Sequence, residues 1–173
     1  HGDLFPDVGA LVSASYDKAG RVLYVLHGLY GAEALHEALR TYADRWTYKH
    51  PYPYDFFNTV ESVLGDDLDW LWRSMLFETW ILDQSVAAVT STDDGVRVTV
   101  RDEGHSMMPT PIRVTYADGS THYHRVPVDV WLEGHRSTTV TLPPGDVTHV
   151  EIDPDKVLPD VDRSNNSWSA SAP

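Results

Sequence analysis

The spacing of apolar residues changes once along this chain, and the change limits the folds open to it. In the first half, apolar residues recur every three or four positions, as along one face of an α-helix. From Ser85 onward they alternate with polar residues, as in half-buried β-strands. The change falls between Trp80 and Gln84. It predicts an α+β chain of two modules, with residues 1–80 helical and residues 81–173 built of strands.

Four apolar stripes at helical spacing predict four helices in the first module. The stripes lie at residues 22–30, 35–46, 56–64 and 68–75. Short connections would pack these helices into a small bundle-like layer. Asp55 is expected to cap the third helix and Gly65 to end it. Residues 49–54 contain two prolines and are expected to be non-helical.

Seven short strands are expected in the second module, separated by regular turn signals. They lie at residues 85–90, 96–100, 112–116, 121–126, 128–132, 137–142 and 148–152. Asp93-Asp94-Gly95 is typical of the turn of a β-hairpin. This number and spacing of strands favour an immunoglobulin-like sandwich. The tail from Asp153, rich in Asp, Pro, Ser and Asn, is expected to be extended.

Charge and composition exclude several functions. The chain carries 26 acidic and 13 basic residues, a net charge of −13. A surface this acidic repels phosphate backbones, so nucleic-acid binding is not expected. The chain has no cysteine, which rules out disulfides, thiolate metal ligands and a cysteine nucleophile. No apolar run approaches the roughly 18 residues of a membrane span.

Six short motifs follow one another along the chain. They are Tyr16-Asp17-Lys18-Ala19, Leu29 to Leu35, Arg40-Thr41-Tyr42, Pro51 to Phe56, Gly65 to Trp70 and Asp162 to Trp168. In their order and spacing they resemble the zinc metallopeptidases related to aminopeptidase N (the gluzincins), over nearly the whole chain. The first motif departs from the family's Tyr-Glu-Lys-Gly pattern, with Asp17 for Glu and Ala19 for Gly.

The part of the family pattern that holds zinc is missing. No His-Glu-x-x-His occurs in the 173 residues. That motif, its downstream Glu ligand and the loop that binds the substrate amino terminus would all precede His1. The resemblance therefore implies a C-terminal fragment: the end of a catalytic domain plus the following sandwich. It would hold no cofactor and be inactive alone. Zinc and the peptide substrate would be bound by the intact parent, against whose N-terminal part this chain would pack. Relatives ending in such a sandwich are often exported, which favours a periplasmic or secreted protein.

Tyr16 is the candidate catalytic residue. The resemblance implies that its hydroxyl donates a hydrogen bond to the oxyanion formed when water attacks the scissile carbonyl. The alternative is a packing tyrosine at the start of a helix. At the level of the whole chain, the matching alternative is a non-enzymatic helical plus immunoglobulin-like module that serves binding or scaffolding.

Three other groups of residues have ordinary structural explanations. His36 and Arg40 are four residues apart, which is the spacing of the two histidines in a zinc-binding helix. Arg40 would repel a metal, so a solvated helix face is expected there. His122 and His124 share one face of a strand, with His135 in reach, but without a fourth ligand an exposed strand face is the better interpretation. The remaining aromatic candidates are expected to pack in the core or at the domain interface: Trp70, Trp72, Phe77 and Trp80. The remaining acidic candidates are expected to cap helices: Asp66, Asp67 and Asp69.

Overall fold

The computed structural model describes residues 6–170, which divide into two compact units. One unit ends at Glu78 and the other begins at Thr79. The first is helical and the second is built of antiparallel strands, so the α+β class is confirmed. None of the helices in residues 6–170 combines the length and the apolar character that crossing a membrane requires.

Within residues 6–78, the helical unit contains five α-helices and two π-helical segments. The α-helices are α1 (Val8–Val12), α2 (Lys18–Tyr30), α3 (Ala32–Trp46), α4 (Pro53–Leu64) and α5 (Asp69–Trp72). One π-helical segment, Ser13–Asp17, joins α1 to α2, and the other, Arg73–Phe77, continues α5. Gly31 and Gly65 end α2 and α4 with φ of 86° and 69°, a backbone region that glycine enters without strain.

The core of this unit is formed by one face of each longer helix and by a group of aromatic rings. Val25 and Leu26 from α2, Ala38 from α3, and Val60 from α4 are fully buried. The rings of Phe57 and Trp72 stack with their centroids 4.6 Å apart. Burial of each large side chain contributes about 1.5–3 kcal/mol, so this face, rather than intrinsic helix propensity, holds the helices together.

Two expected helix boundaries are wrong. Helix α4 begins at Pro53, inside the segment expected to be non-helical, because a proline in the first turn gives up an N–H that would have no partner. Asp55 lies in the first turn and accepts a hydrogen bond from the backbone N–H of Tyr52 (2.7 Å), so it is not the N-cap itself. The first helical run starts at Val8, where Asp7 caps it by accepting from the Ala10 N–H at 2.8 Å.

The second unit contains two antiparallel sheets. The strands are β1 (Gln84–Thr92), β2 (Gly95–Asp102), β3 (Thr110–Tyr116), β4 (Thr121–Val126), β5 (Ser137–Leu142), β6 (Val147–Ile152) and β7 (Ser167–Ser169). One sheet has the order β1-β2-β5 and the other β4-β3-β6-β7. Val98 and Val100 from one sheet and Ile112, Val114 and Val150 from the other belong to one buried apolar cluster.

The segment expected to be the fifth strand is instead a short helix, α6 (Asp129–Leu132). It follows Pro127, and a single turn there places Trp131 in the core at 3% exposure, with Asp129 in the favourable first turn. Gly134, at φ 89°, closes the turn that follows. The seventh strand comes from the tail, where Trp168 pairs with Val150. The tail from Asp153 is therefore not simply extended.

Polar side chains bind the two ends of this unit together. The Asp160 carboxylate accepts from the backbone N–H of Gln84 (2.9 Å) and from the Asn166 side chain (3.2 Å). Asp153, 2% exposed, accepts from the Arg163 guanidinium at 2.9 Å and from two backbone N–H groups. The closing motif from Asp162 to Trp168 thus lies within a network that ties the tail to the start of β1.

Candidate functional site

Tyr16 lies in the π-helical segment between α1 and α2, with 74% of its side chain exposed. Tyr16 does not lie at the start of a helix, because the helical run begins eight residues earlier, at Val8. The alternative of a packing tyrosine does not fit this exposure within the described chain. A π-helical segment is an uncommon local widening of a helix that occurs frequently at functional sites. The hydroxyl is therefore free to meet a molecule outside this chain.

Other apolar residues line up with Tyr16 along the same helical run. Val8, Val12, Tyr16 and Tyr24 are spaced by multiples of four residues and are 74%, 43%, 74% and 46% exposed. We call these four residues the exposed stripe. An amphipathic helix of a small protein normally turns such a stripe into the core. Here the buried residues of the run, Val22, Val25 and Leu26, all belong to α2, whereas α1 and the segment Ser13–Asp17 bury none of their residues.

A shallow groove of about 640 Å³ lies beside the stripe. It is lined by Ala10, Ser13, Ala14 and Met75 and by the charged residues Asp17, Lys18 and Arg21. Asp17 is exposed, whereas Lys18 is half-buried. Arg21 also lies over the Tyr24 ring, 5.1 Å from its centroid. The groove therefore lies between the helical run that carries Tyr16 and the segment Arg73–Phe77, which supplies Met75.

The helix face that carries His36 and Arg40 is solvated, as expected. His36, Glu37 and Arg40 of α3 are all exposed. The Arg40 guanidinium donates to the Glu37 carboxylate at 2.6 Å, and this contact lowers the pKa of Glu37. Arg40 therefore lies where a zinc-binding helix would carry its second histidine, and its charge is paired with that of Glu37.

The histidines of β4 are half-buried and do not lie on the outer strand face that was expected. His122 and His124 pair with Val114 and Ile112, which belong to the core, so their side chains point to the inner side of an edge strand. His135 is exposed and lies 3.5 Å from the Glu133 carboxylate. In residues 6–170 these three histidines are not among the groups whose ligand atoms come together.

One group of carboxylates does come together in the described chain. Oxygens of Glu61, Asp67 and Asp69 lie within 4.8 Å of one another. Glu61 accepts from the indole N–H of Trp72 (2.7 Å), and Asp67 accepts from the backbone N–H of Asp69 (2.9 Å). These bonds lie at the start of α5, but the expectation that Asp66 or Asp67 caps this helix is wrong, because the N-cap is Leu68 and no side chain caps it; Asp69 lies in the first turn. An all-oxygen set without histidine does not fit a catalytic zinc, so no zinc chemistry is assigned to this chain.

The aromatic candidates divide between core and surface. Trp72 is a core residue at 2% exposure, and Trp70 and Trp80 are half-buried. Phe77 is 57% exposed and stacks on Tyr54 with ring centroids 6.2 Å apart. Packing therefore explains the positions of the tryptophans, as expected. Phe77 packs on Tyr54, but more than half of its surface remains exposed.

Sequence reasoning missed Asp102, the carboxyl group most altered by its surroundings. It ends β2 at 4% exposure, and the Arg136 guanidinium donates to it at 2.6 Å. Burial raises the pKa of Asp102 to about 6, against the opposing effect of Arg136. The alternation of β2 indicated an inward position, but nothing in the sequence identified Arg136, 34 residues away, as its partner.

Similarity to known proteins is found among solved structures. No family model matches the chain, and no curated protein matches it. Among solved structures, the chain is similar to the crystal structure of Legionella pneumophila aminopeptidase A in complex with aspartic acid, with a TM-score of 0.63 and 12% sequence identity. The similarity covers 88% of this chain but only 18% of that one. The chain therefore has an aminopeptidase-like fold and spans less than a fifth of the length of this neighbour.

Proposed function

We propose that this chain is the C-terminal fragment of a zinc-dependent aminopeptidase-like metallopeptidase, inactive alone, which supplies Tyr16 and a structural immunoglobulin-like sandwich to the intact parent. The observation that carries the proposal is the position of Tyr16. It is 74% exposed, on a π-helical segment, within a stripe of apolar residues that the described chain does not cover. The similarity in fold to part of an aminopeptidase supports the same assignment.

The role proposed for Tyr16 is stabilisation of the transition state. In the parent, zinc held by residues outside this chain would polarise the scissile carbonyl and activate water. The Tyr16 hydroxyl would donate a hydrogen bond to the carbonyl oxygen as it becomes negatively charged. The exposed stripe would lie against the preceding part of the parent, which brings the hydroxyl to the peptide. Export to the periplasm or outside the cell is part of this proposal.

A second candidate is a non-enzymatic binding module. The strand order β1-β2-β5 and β4-β3-β6-β7 supports an immunoglobulin-like sandwich, an architecture common in binding domains. In this case Tyr16 would belong to a contact surface rather than to an active site. The two candidates differ in whether the parent hydrolyses peptides.

Metal content and peptide hydrolysis, measured on the isolated chain and on the intact parent, test the proposal. We expect the parent to hold one zinc per chain and to release amino acids from peptides in a chelator-sensitive way. The isolated chain is expected to show neither property. Zinc bound stoichiometrically by the isolated chain, with chelator-sensitive hydrolysis, would contradict the fragment assignment. A parent without hydrolysis would favour the binding module.

A further inference from the structure

A pocket lies at one end of the sheet unit, between the turn that joins β3 to β4 and the loop that joins β5 to β6. Its volume is about 410 Å³, which is within the range of small-ligand sites. The turn and the strand ends beside it supply residues 116–118 and 120–122, and the loop supplies residues 143–146. Loops held on a rigid sheet are a common place for binding sites.

Contacts between the turn and the loop fix the shape of this pocket. The Tyr116 hydroxyl donates to the Pro143 carbonyl at 3.0 Å. The Ala117 N–H donates to the Asp146 carbonyl at 2.8 Å. The loop backbone lies so close to the Tyr116 ring that a Cβ at Gly145 would be 2.7 Å from it. The pocket is therefore preformed, and a ligand would not have to order it.

The charged groups that line the pocket are two exposed carboxylates, Asp118 and Asp146. Asp118 Oδ1 accepts from the hydroxyl (2.6 Å) and the backbone N–H (2.8 Å) of Ser120, and these bonds lower the pKa of Asp118. Within residues 6–170 neither carboxylate forms an ion pair. Asp118 Oδ2 and both carboxylate oxygens of Asp146 also accept no hydrogen bond there. These three oxygens are therefore available to a ligand that donates hydrogen bonds.

The charges around the pocket are mostly acidic too. Asp93 and Asp94 form the turn between β1 and β2, which lies beside the end of β5. Arg97 is exposed on the outer face of the β1-β2-β5 sheet and does not line the pocket. Arg113, in the middle of β3, is paired with Glu151 at 2.6 Å. The three turns at this end therefore carry four carboxylates and no lysine or arginine, which favours a cationic ligand.

We propose that this pocket binds a guanidinium group, carried by an arginine side chain of a partner protein or by a small guanidine compound. The guanidinium is planar, has five N–H donors and pairs with carboxylates through two parallel bonds. Asp146 can accept such a pair, and Asp118 Oδ2 can accept a further N–H. A metal ion fits less well, because Asp118, Asp146 and the lining residue His122 are not among the described groups whose ligand atoms come within 4.8 Å of one another.

Two probes, N-acetyl-arginine amide and n-propylguanidine, test the proposal on the chain as it stands, at low salt and about pH 8, where imidazoles are ordinarily neutral. The methyl NMR signals of Ala117 and Thr121, which line the pocket, should shift. Exposed carboxylates bind weakly, so we expect a dissociation constant of about 1–10 mM. N-acetyl-citrulline amide, the uncharged isostere of the arginine probe, should bind at least about fivefold more weakly. Binding of both probes supports an arginine side chain as the ligand, and binding of n-propylguanidine alone supports a free guanidine compound.

Two charge-removing variants complete the test. Asp146→Asn is expected to weaken binding of n-propylguanidine at least about fivefold, because it removes the paired acceptor. Asp155→Asn is the matched control and should leave binding within about twofold, since this exposed aspartate follows the far end of β6, roughly 20 Å along the strand. Circular dichroism checks that both variants fold.

Four results would overturn the proposal. They are no methyl shift with either probe at about 50 mM, equal binding of the citrulline probe, equal weakening by both variants, and the same shifts with calcium chloride alone. None of these outcomes depends on peptidase activity, so the proposal can fail without the proposed function.

Discussion

In the helical unit, large apolar side chains are exposed to solvent along the first helical run. In the sheet unit, buried polar side chains form hydrogen bonds and an ion pair that hold the tail in place. Val8, Val12 and Tyr16 are exposed, and the buried residues of the same run, Val22, Val25 and Leu26, all belong to α2, because α1 and Ser13–Asp17 bury none of their residues. In the sheet unit, Asp153 and Asp160 hold the tail against the start of β1. The exposed apolar residues of the sheet unit, Ile81, Tyr123, Leu132 and Val161, are scattered over its elements, whereas those of the helical unit follow one another along the first helical run.

The largest effect is expected from a core deletion in the sheet unit. Trp131→Ala should lower the free energy of unfolding of this unit by about 3–5 kcal/mol, because a ring buried between the sheets leaves a cavity. Denaturant unfolding followed by the amide protons of β3 measures the loss. Trp131→Phe is the control and should cost clearly less, since it keeps most of the ring volume and removes an indole N–H that has no hydrogen-bond partner. Equal losses would show that packing of the ring is not what matters.

The polar network should cost nearly as much to break. Arg163→Leu removes the cation beside the buried Asp153 carboxylate, and we expect a loss of about 3 kcal/mol in the same unfolding measurement. Burial already raises the pKa of Asp153, so the variant should be least stable at neutral pH and recover in acid. Arg40→Leu, which breaks an exposed pair in the helical unit, is the matched control and should leave the free energy of unfolding nearly unchanged, because solvent screens exposed pairs. Similar losses in both variants would contradict the difference between the units.

Asp102 makes the stability of the sheet unit depend on pH. Its pKa is about 6 in the folded chain and returns to its ordinary value of 3.8 on unfolding. The folded state therefore binds more protons between these values, and the free energy of unfolding falls as pH rises from about 4 to about 6. We expect Asp102→Asn to remove on the order of 2 kcal/mol of this fall, measured by denaturant unfolding across the range. An unchanged pH profile in the variant would mean that the carboxyl group titrates normally.

Changes in the exposed stripe should hardly affect folding. Val12→Asp is expected to alter the free energy of unfolding of the helical unit by no more than about 0.5 kcal/mol, because the side chain already meets solvent. Val25→Asp, on the buried face of α2, should unfold the unit. If Val12→Asp were comparably damaging, the stripe would belong to the core of this chain, and the contrast between the two units would disappear.

Hydrophobic period was enough to predict most of the elements. The alternation in Val96 to Val100 and in Ile112 to Tyr116 identified strands, because one face of each is buried in a shared core. The predictions of secondary structure failed where the properties of individual residues outweighed the spacing of apolar residues. Residues 128–132 were predicted as a strand, but they form a helical turn that buries Trp131. Residues 49–54 were predicted to be non-helical, but Pro53 begins α4.

The site was less predictable than the fold. Tyr16 was identified through a resemblance, and neither its π-helical backbone nor its exposure follows from composition or spacing. Partners far apart in sequence, such as Asp102 with Arg136 and Glu61 with Trp72, form only after the chain has folded.

The kinetics of Tyr16→Phe in the intact parent test the central claim most directly. The hydroxyl should act on the oxyanion, which exists in the transition state and not in the bound substrate, so kcat should fall about a hundred- to a thousandfold, or roughly 2.7–4 kcal/mol, with KM little changed. Phenylalanine keeps the ring, and an unchanged melting temperature serves as the control. Near-normal turnover of the Phe variant would contradict the claim and make Tyr16 a contact residue of the stripe.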